Sequence, residues 1–194
     1  MYENMIAITN RKLCPNQAYL EQLSFIASLH PKAVVLREKD LSPESYLKLA
    51  EKAVSICQKY ETPLILHNFA DAAIKLSHPY IHMPLYALRD FQLKNGSKPC
   101  SVFKKTGTSV HSVEDAKAAC KLGADYLFAG NIYETECKPG LSGRGLEFLR
   151  EIVSSVNIPV YAIGGITPEK MSDVMKTGAA GACMMSGFMT MKPH

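Results

Sequence analysis

The stretch GADYLFAGNIYETECKPGLSGRG, residues 123–145, decides the fold, because a short apolar strand runs directly into a polar, glycine-rich loop. Two later stretches repeat this arrangement. VYAI at 160–163 is followed by Gly164 and Gly165, and GACMM at 181–185 is followed by Ser186 and Gly187. Glycine lets a backbone approach a ligand closely. Three strands that each end in such a loop predict a ligand site at the carboxyl ends of neighbouring strands.

Outward from this stretch, short apolar runs alternate with helical patterns along the chain. Strands are predicted at residues 5–9, 33–36, 64–67, 80–83, 102–109, 126–129, 160–163 and 181–185, and helices at 16–29, 43–60, 113–122, 146–156 and 168–177. The first three and last two strands are apolar without alternation, as in strands buried on both faces. Ser42, Ser112 and Thr167 precede helical patterns and predict N-caps.

Eight strands with interspersed helices predict an α/β fold, a compact (β/α)8 TIM barrel that forms a single domain over residues 1–194. The short distance from the last strand to His194 predicts a short or missing eighth helix, and residues 84–100 are only weakly helical. A doubly wound open sheet is the alternative. That fold carries a glycine-rich turn after its first strand, whereas TNRKLCPN at 9–16 contains no glycine.

Composition excludes several classes of protein. The net charge is only +4 and basic residues are interleaved with acids, so a nucleic-acid partner is not expected. No apolar stretch reaches about 18 residues, so no membrane span is expected. The six cysteines form no C-x-x-C pair and the N-terminus lacks a signal-peptide pattern, which predicts a reduced, cytoplasmic protein. No spacing of His, Cys and acids indicates a transition-metal site.

The glycine pairs predict where an anion binds. In a TIM barrel the loops after strands seven and eight commonly hold a phosphate on backbone N–H groups. The predicted phosphate-binding residues are Gly164, Gly165, Met185 and Ser186. The alternative is that these glycines only form tight turns.

Polar residues after the second, third and fifth strands predict the other end of the ligand. Arg37 and Lys39 are two residues apart, so in an extended segment both face one side and suit a carboxylate or phosphate. The alternative is a salt-bridged strand end with Glu38 and Asp40 as partners. Ser109 ends the fifth strand, and His67 ends the third, where it is either a general acid–base or a core histidine.

The loop after the sixth strand adds Thr135, Cys137 and Lys138 as candidates for substrate binding. Lys138 could pair with an anion or move a proton, although a solvated loop lysine is the common alternative. Cys137 has no neighbouring histidine in sequence to activate it. Arg144 is interpreted either as a lid residue or as surface charge at a helix start.

Four blocks occur in order and carry a resemblance: LREKD, ADYLFAG, ETECKPGLSGRG and AIGGIT. Together they resemble the thiamine phosphate synthase superfamily over about residues 33–187. One branch, the synthase, joins a pyrimidine diphosphate to a thiazole phosphate using magnesium. The other, the TenI type, is a thiazole tautomerase that aromatises a thiazole carboxylate phosphate. The resemblance implies a TIM barrel and a small phosphorylated thiazole as ligand.

The resemblance also separates the branches. The synthase has an Asn-Asp pair after strand three, where this chain has His67 and Asn68, and a second magnesium aspartate at the position of Ala87. Without these carboxylates a divalent cation has few oxygen ligands. Residues that match the pattern shared by both branches are Arg37, Lys39, Ser109, Thr135, Lys138, Gly165 and Ser186.

The loop after strand six is closest to the TenI type. That type is thought to shuttle its proton with a histidine where this chain has Asn131. An amide does not titrate near neutral pH, so His67, Lys138 and Cys137 are the candidate substitutes. The expectation is a thiazole tautomerase with His67, Lys138 and Asn131 as catalytic residues. Neither a cofactor nor a metal is expected, and magnesium enters only if the protein is a synthase.

Two other functions stay open: a thiamine phosphate synthase, and a barrel that binds thiazole phosphate without turning it over. The short C-terminus predicts uncovered apolar surface near the first and last strands, and therefore a homodimer.

Overall fold

The structure, a computed structural model, describes residues 2–14, 18–95, 102–135 and 140–192. Its strands are β1 (Met5–Ile8), β2 (Ala33–Leu36), β3 (Leu64–His67), β4 (Tyr80–Pro84), β5 (Lys105–Val110), β6 (Tyr126–Gly130), β7 (Val160–Ile163) and β8 (Gly181–Met184). They form one closed barrel in the order β1 to β8. This confirms the predicted (β/α)8 barrel and excludes the open sheet.

A helix follows each strand. The helices are α1 (Tyr19–Ser28), α2 (Pro43–Lys59), α3 (Ala70–Lys75), α4 (Leu85–Asn95), α5 (Val113–Lys121), α6 (Gly145–Ser155), α7 (Met171–Met175) and α8 (Ser186–Thr190). With five residues, α8 is as short as predicted. α4 occupies the segment with the weak helical pattern, and α3 was not predicted at all. The prediction for the fifth strand is wrong at its start, since β5 begins at Lys105.

Two of the three predicted N-caps form. The Ser42 hydroxyl accepts from the N–H of Ser45, and the Ser112 hydroxyl accepts from the N–H of Asp115. Each satisfies one of the unpaired N–H groups at a helix start. Thr167 also lies at an N-cap position followed by proline, but the helix it begins is a 3₁₀ turn (Pro168–Lys170) before α7, and its side chain makes no capping hydrogen bond.

Two compact units are recognised within the chain by their internal contacts: residues 1–81 with 184–194, and residues 82–183. In the first unit, β1, β2 and β3 pair in parallel, with Leu36 opposite Leu66. The short α8 is held by Gln22, whose amide donates to the carbonyls of Phe188 and Met191 at 2.7 and 2.9 Å.

In the second unit, β5 to β8 pair in parallel, and the interior is aromatic. His82 of β4 stacks on Phe128 of β6 with ring centroids 4.1 Å apart, although β5 lies between these strands. Side chains from alternate strands meet in this way inside a barrel. Gly107 of β5 makes room for them, since a Cβ there would lie 2.0 Å from the Tyr126 ring.

None of the helices in the described ranges has both the length and the apolar character that crossing a bilayer requires.

Candidate functional site

A buried carboxylate organises the loops after β1 and β2 in the first unit. Glu38 is 2% exposed and accepts from the Thr9 hydroxyl at 2.8 Å. It also accepts from the backbone N–H of Arg11 at 3.1 Å and from the Arg11 guanidinium at 3.3 Å. The Thr9 hydroxyl oxygen in turn accepts from the backbone N–H of Arg37 at 3.0 Å. A buried charge needs such donors, and here they fix the backbone that carries Arg37.

The acidic residues that follow β2, Glu38 and Asp40, form ion pairs other than those of the salt-bridged alternative. Asp40 accepts two hydrogen bonds of 2.8 Å from Arg11 and lies 3.1 Å from Lys12 Nζ. The hydrogen bonds from Arg11 and then from Lys12 lower the pKa of Asp40 to about 2. Within the described ranges, no carboxylate lies at ion-pair distance from the Arg37 guanidinium. Glu38 and Asp40 therefore pair with the β1 loop and not with Arg37.

His67 at the end of β3 shares an electrostatic environment with both predicted cations. The side chain is buried, and its pKa is lowered to about 3, first by burial and then by the charges of Arg37 and Lys39. Desolvation and neighbouring positive charge both disfavour an imidazolium. The charges of Arg37 and Lys39 thus act on His67, and together with burial they favour the neutral imidazole.

Ser109 lies in the second unit, where it is hydrogen-bonded to a histidine. His82 Nε2 lies 2.9 Å from Ser109 Oγ. His82 is 1% exposed and stacks on Phe128, so its ring plane is fixed by packing. The sequence does not show that β4 and β5 bring these two side chains together at this point. His111 bonds the Gly130 carbonyl at 2.7 Å through Nδ1.

Asn131 is buried and faces its own loop. Its carbonyl oxygen accepts from the Arg144 N–H at 3.0 Å, and its side-chain amide lies 3.5 and 3.4 Å from the carbonyls of Leu141 and Ser142. The residue at the position of the TenI histidine therefore contacts the glycine-rich segment before α6. Arg144 donates to the His111 carbonyl and lies over the Phe148 ring, at the start of α6.

The two glycines after β7 pack against the loop after β6. A Cβ at Gly164 would lie 2.5 Å from the Cβ of Asn131, and one at Gly165 would lie 2.4 Å from the Glu134 carbonyl oxygen. Both glycines also have positive φ angles, +100° and +63°. Glycine is required here on two grounds, sterics and conformation.

Lys170 also connects these two loops, and the sequence analysis did not predict it. Its ammonium donates to the Gly165 carbonyl at 2.7 Å and lies 4.3 Å from the centroid of the Tyr133 ring. The lysine thus joins the loop after β7 to the loop after β6. The only sequence signal is its place two residues after Pro168, which does not distinguish it from a surface lysine.

The remaining predicted residues stand as follows. Ser186 is the first residue of α8, Met185 precedes it in the first unit, and Thr135 lies after β6. Cys137 and Lys138 lie outside the described residues. The roles predicted for these five residues stay predictions.

The donors at the two magnesium positions do not suit that ion. Asn68, after β3, offers an amide, and Ala87, on α4, offers a methyl group. In the described residues no three His, Cys, Asp or Glu side chains are grouped as a metal site. Magnesium binds in proteins mainly through carboxylates, water and substrate phosphates, so Asn68 and Ala87 do not fit this ion.

A closed barrel with polar groups where its strands end defines a class of (β/α)8 protein whose active sites lie at that end. Within that class, the chain belongs to the thiamine monophosphate synthase family (TMP-TENI), whose family model matches residues 5–188.

Individual relatives agree with the family. "Putative thiamine-phosphate synthase 2" of Aquifex aeolicus is 36% identical over 191 residues, which cover 95% of this chain and 97% of the relative. "Thiamine-phosphate synthase" of Clostridium acetobutylicum is 32% identical over 188 residues, 94% of this chain and 85% of the relative. Among solved structures, a thiamine phosphate pyrophosphorylase from Pyrococcus furiosus matches with a TM-score of 0.80 at 27% identity and covers 98% of this chain and 89% of that one.

Proposed function

We propose that the protein is an enzyme of thiamine biosynthesis that acts as a thiazole tautomerase and aromatises a thiazole carboxylate phosphate by proton transfer. The observation that carries the proposal is the buried, neutral His67 beside Arg37 and Lys39, at the position where a synthase needs an amide followed by a carboxylate. A neutral imidazole can accept a proton from carbon, and two cations can hold the carboxylate of the substrate.

Substrate binding makes His67 a better base. In the free protein burial, and then the charges of Arg37 and Lys39, lower the pKa of His67, so the imidazole is a weak acceptor. An anion bound to Arg37 and Lys39 offsets their charge and raises the pKa of His67 by the part of the shift that these two charges cause. A base is most effective when its pKa lies near the working pH. The site therefore gains basicity when the anionic substrate is bound.

We propose that the phosphate of the substrate binds to the loop after β7. Gly164 and Gly165 have no side chains to shield their N–H groups, and Lys170 already engages the Gly165 carbonyl. Backbone N–H groups of this kind bind anions without a basic side chain.

The test is a tautomerase assay on purified protein in the presence of EDTA. We expect the wild-type protein to turn over without added metal, and His67→Ala to lower kcat by about 100-fold or more, the range of a general base. Asn131→His, which restores the TenI histidine, raises kcat. If His67→Ala turns over as fast as the wild-type protein, His67 is not the base.

A second candidate is thiamine phosphate synthase, favoured by the names of the curated relatives. It requires magnesium-dependent release of diphosphate when a pyrimidine diphosphate and a thiazole phosphate are supplied. Diphosphate release that disappears with EDTA establishes this function and rejects the first. Tight binding of thiazole phosphate with neither reaction identifies a barrel that only binds its ligand.

A further inference from the structure

A single hydroxyl group connects the ends of β2 and β3. Tyr46, on α2, donates from its hydroxyl to the Leu36 carbonyl at 2.8 Å and accepts from the His67 N–H at 2.9 Å. Leu36 lies opposite Leu66 in the parallel pairing, and the Val34 N–H donates to the Pro63 carbonyl, so the Leu36 carbonyl and the His67 N–H are the acceptor and donor of what would be the next rung of this ladder. Tyr46 is 0% exposed. Its hydroxyl thus joins both groups of the rung from which Arg37 and His67 extend.

The ring of Tyr46 fixes the turn that follows His67. It stacks on Phe69 with centroids 4.0 Å apart and an interplanar angle of 21°. Between them the chain turns sharply: the Phe69 N–H donates to the His67 carbonyl at 2.9 Å, and Asn68 has a φ of +67°. An i to i+2 hydrogen bond around a residue with positive φ is a rare and strained turn. Strain of this kind persists only where surrounding structure holds it.

We propose that Tyr46 is the positioning residue of the site, and that its hydroxyl and ring together hold His67 in register with Arg37 and Lys39. The inference rests on the proposed function. It extends that function, because Tyr46 contacts neither substrate nor reacting atoms and acts through His67.

The contacts on either side of Tyr46 support this role over a general packing role. A buried tyrosine needs a partner for its hydroxyl, and one would suffice. Here the hydroxyl engages one group on each of two strands, and both groups adjoin residues of the proposed site. The Arg37 backbone is fixed on its other side by Thr9. Arg37 and His67 are therefore each placed by a buried hydroxyl.

The test is Tyr46→Phe, which keeps the ring and removes the hydroxyl. Tyr60→Phe is the matched control, since Tyr60 follows the other end of α2 and its hydroxyl accepts from the Ser24 hydroxyl at 3.1 Å. Displacement of reacting groups by about 1 Å costs roughly 100-fold in rate. A smaller shift predicts a kcat about tenfold lower in Tyr46→Phe with KM changed less than about twofold. Tyr60→Phe is expected to keep wild-type values.

A second measurement needs no turnover. Nuclear magnetic resonance follows the His67 amide and imidazole, which face the charges of Arg37 and Lys39 and the hydroxyl of Tyr46. In Tyr46→Phe the His67 amide exchanges faster and the imidazole titrates at a different pH. Failure of the proposed function would remove the kinetic effect but leave these changes in place.

Wild-type kcat together with unchanged His67 resonances in Tyr46→Phe overturns the inference. Should that variant not fold, Phe69→Leu removes the stacking partner and keeps the hydroxyl. It is expected to change the His67 resonances and lower kcat, and unchanged values in a folded Phe69→Leu protein also reject the role of Tyr46.

Discussion

At the scale of single residues, the burial of His67 couples acidity to folding. Its pKa in the folded protein is about 3, below the ordinary 6.5, so between these pH values the unfolded chain binds the proton more readily. The stability that the neutral imidazole contributes is fully present above about pH 6.5 and is lost as the pH falls toward about 3.

This predicts a pH-dependent free energy of unfolding that depends on His67. Between pH 6 and 4 the wild-type protein should lose stability at up to about 1.4 kcal/mol per pH unit from this group. His67→Gln, which cannot titrate there, should show a flatter profile by urea denaturation. His30→Asn, at an exposed histidine with a φ of +49° that asparagine tolerates, is the control. Equal slopes for wild type and His67→Gln contradict the prediction.

Lys170 gives the second prediction at this scale. Lys170→Met keeps most of the side-chain volume and removes the donor to the Gly165 carbonyl and the charge over Tyr133. We expect phosphate affinity to fall on the order of tenfold, because losing a charge-assisted hydrogen bond costs about 1.5–3 kcal/mol, not all of it transmitted to binding. Titration calorimetry with inorganic phosphate measures this. Lys176→Met removes a lysine from an exposed ion pair with Asp173 and should bind as wild type does.

Sequence patterns identify some of these residues and not others. Arg37 and His67 could be proposed because each lies at a strand end, where period-two alternation gives a direction. Lys39 lies three residues beyond β2, in the turn that follows, where this alternation gives no direction. Glu38, Tyr46 and Lys170 act through contacts whose partners are set by tertiary packing. For Glu38 the nearest charged neighbours in sequence suggest the wrong partner, since its partner Arg11 is 27 residues away.

At the scale of elements, the conformation of the loop after β7 requires that residue 165 have no side chain. Gly165→Ala places a Cβ 2.4 Å from the Glu134 carbonyl oxygen at a φ of +63°. Gly178→Ala meets only a Val153 methyl group at 3.3 Å, with a φ of +85°. Both carry the conformational penalty of about 1–2 kcal/mol, and Gly165→Ala adds about 1–3 kcal/mol for overpacking.

Chemical denaturation of the two alanine variants separates these costs. The free energy of unfolding should fall further in Gly165→Ala than in Gly178→Ala, and only Gly165→Ala should also lose phosphate affinity. Similar stabilities would show that the loop yields to the extra methyl group. Unchanged phosphate binding in Gly165→Ala would place the anion elsewhere.

Elements could be predicted where periodicity and end signals agree. β2, β3 and β7 have the predicted bounds, and α2 begins at the predicted Pro43. α3, with six residues, is too short for a 3.6-residue period to emerge. β5 begins three residues late because the apolar start of its pattern, Val102 and Phe103, lies outside the ladder.

At the scale of the whole molecule, alternation of strands and helices is enough to predict the barrel. It does not predict two compact units, because that division depends on which elements contact each other most. The single-domain and homodimer assignments stay predictions, and sedimentation equilibrium of the full chain tests the second.

Ligand binding should stabilise the entire fold. At a phosphate concentration of about 100 times Kd, linkage adds about 2.7 kcal/mol, which for a chain of this size raises Tm by about 5–10 °C. EDTA should leave this rise unchanged if phosphate binds on backbone groups. A rise that requires magnesium would favour the synthase function.

The space left by Gly107 and filled by the Tyr126 ring has an evolutionary consequence. The two residues lie opposite each other on β5 and β6, and a Cβ on the first would overlap the ring of the second. Divergence at the two positions is therefore coupled: a relative with a larger residue at 107 should have lost the aromatic ring at 126. An alignment of relatives in which bulky residues at 107 occur together with tyrosine at 126 would contradict this coupling.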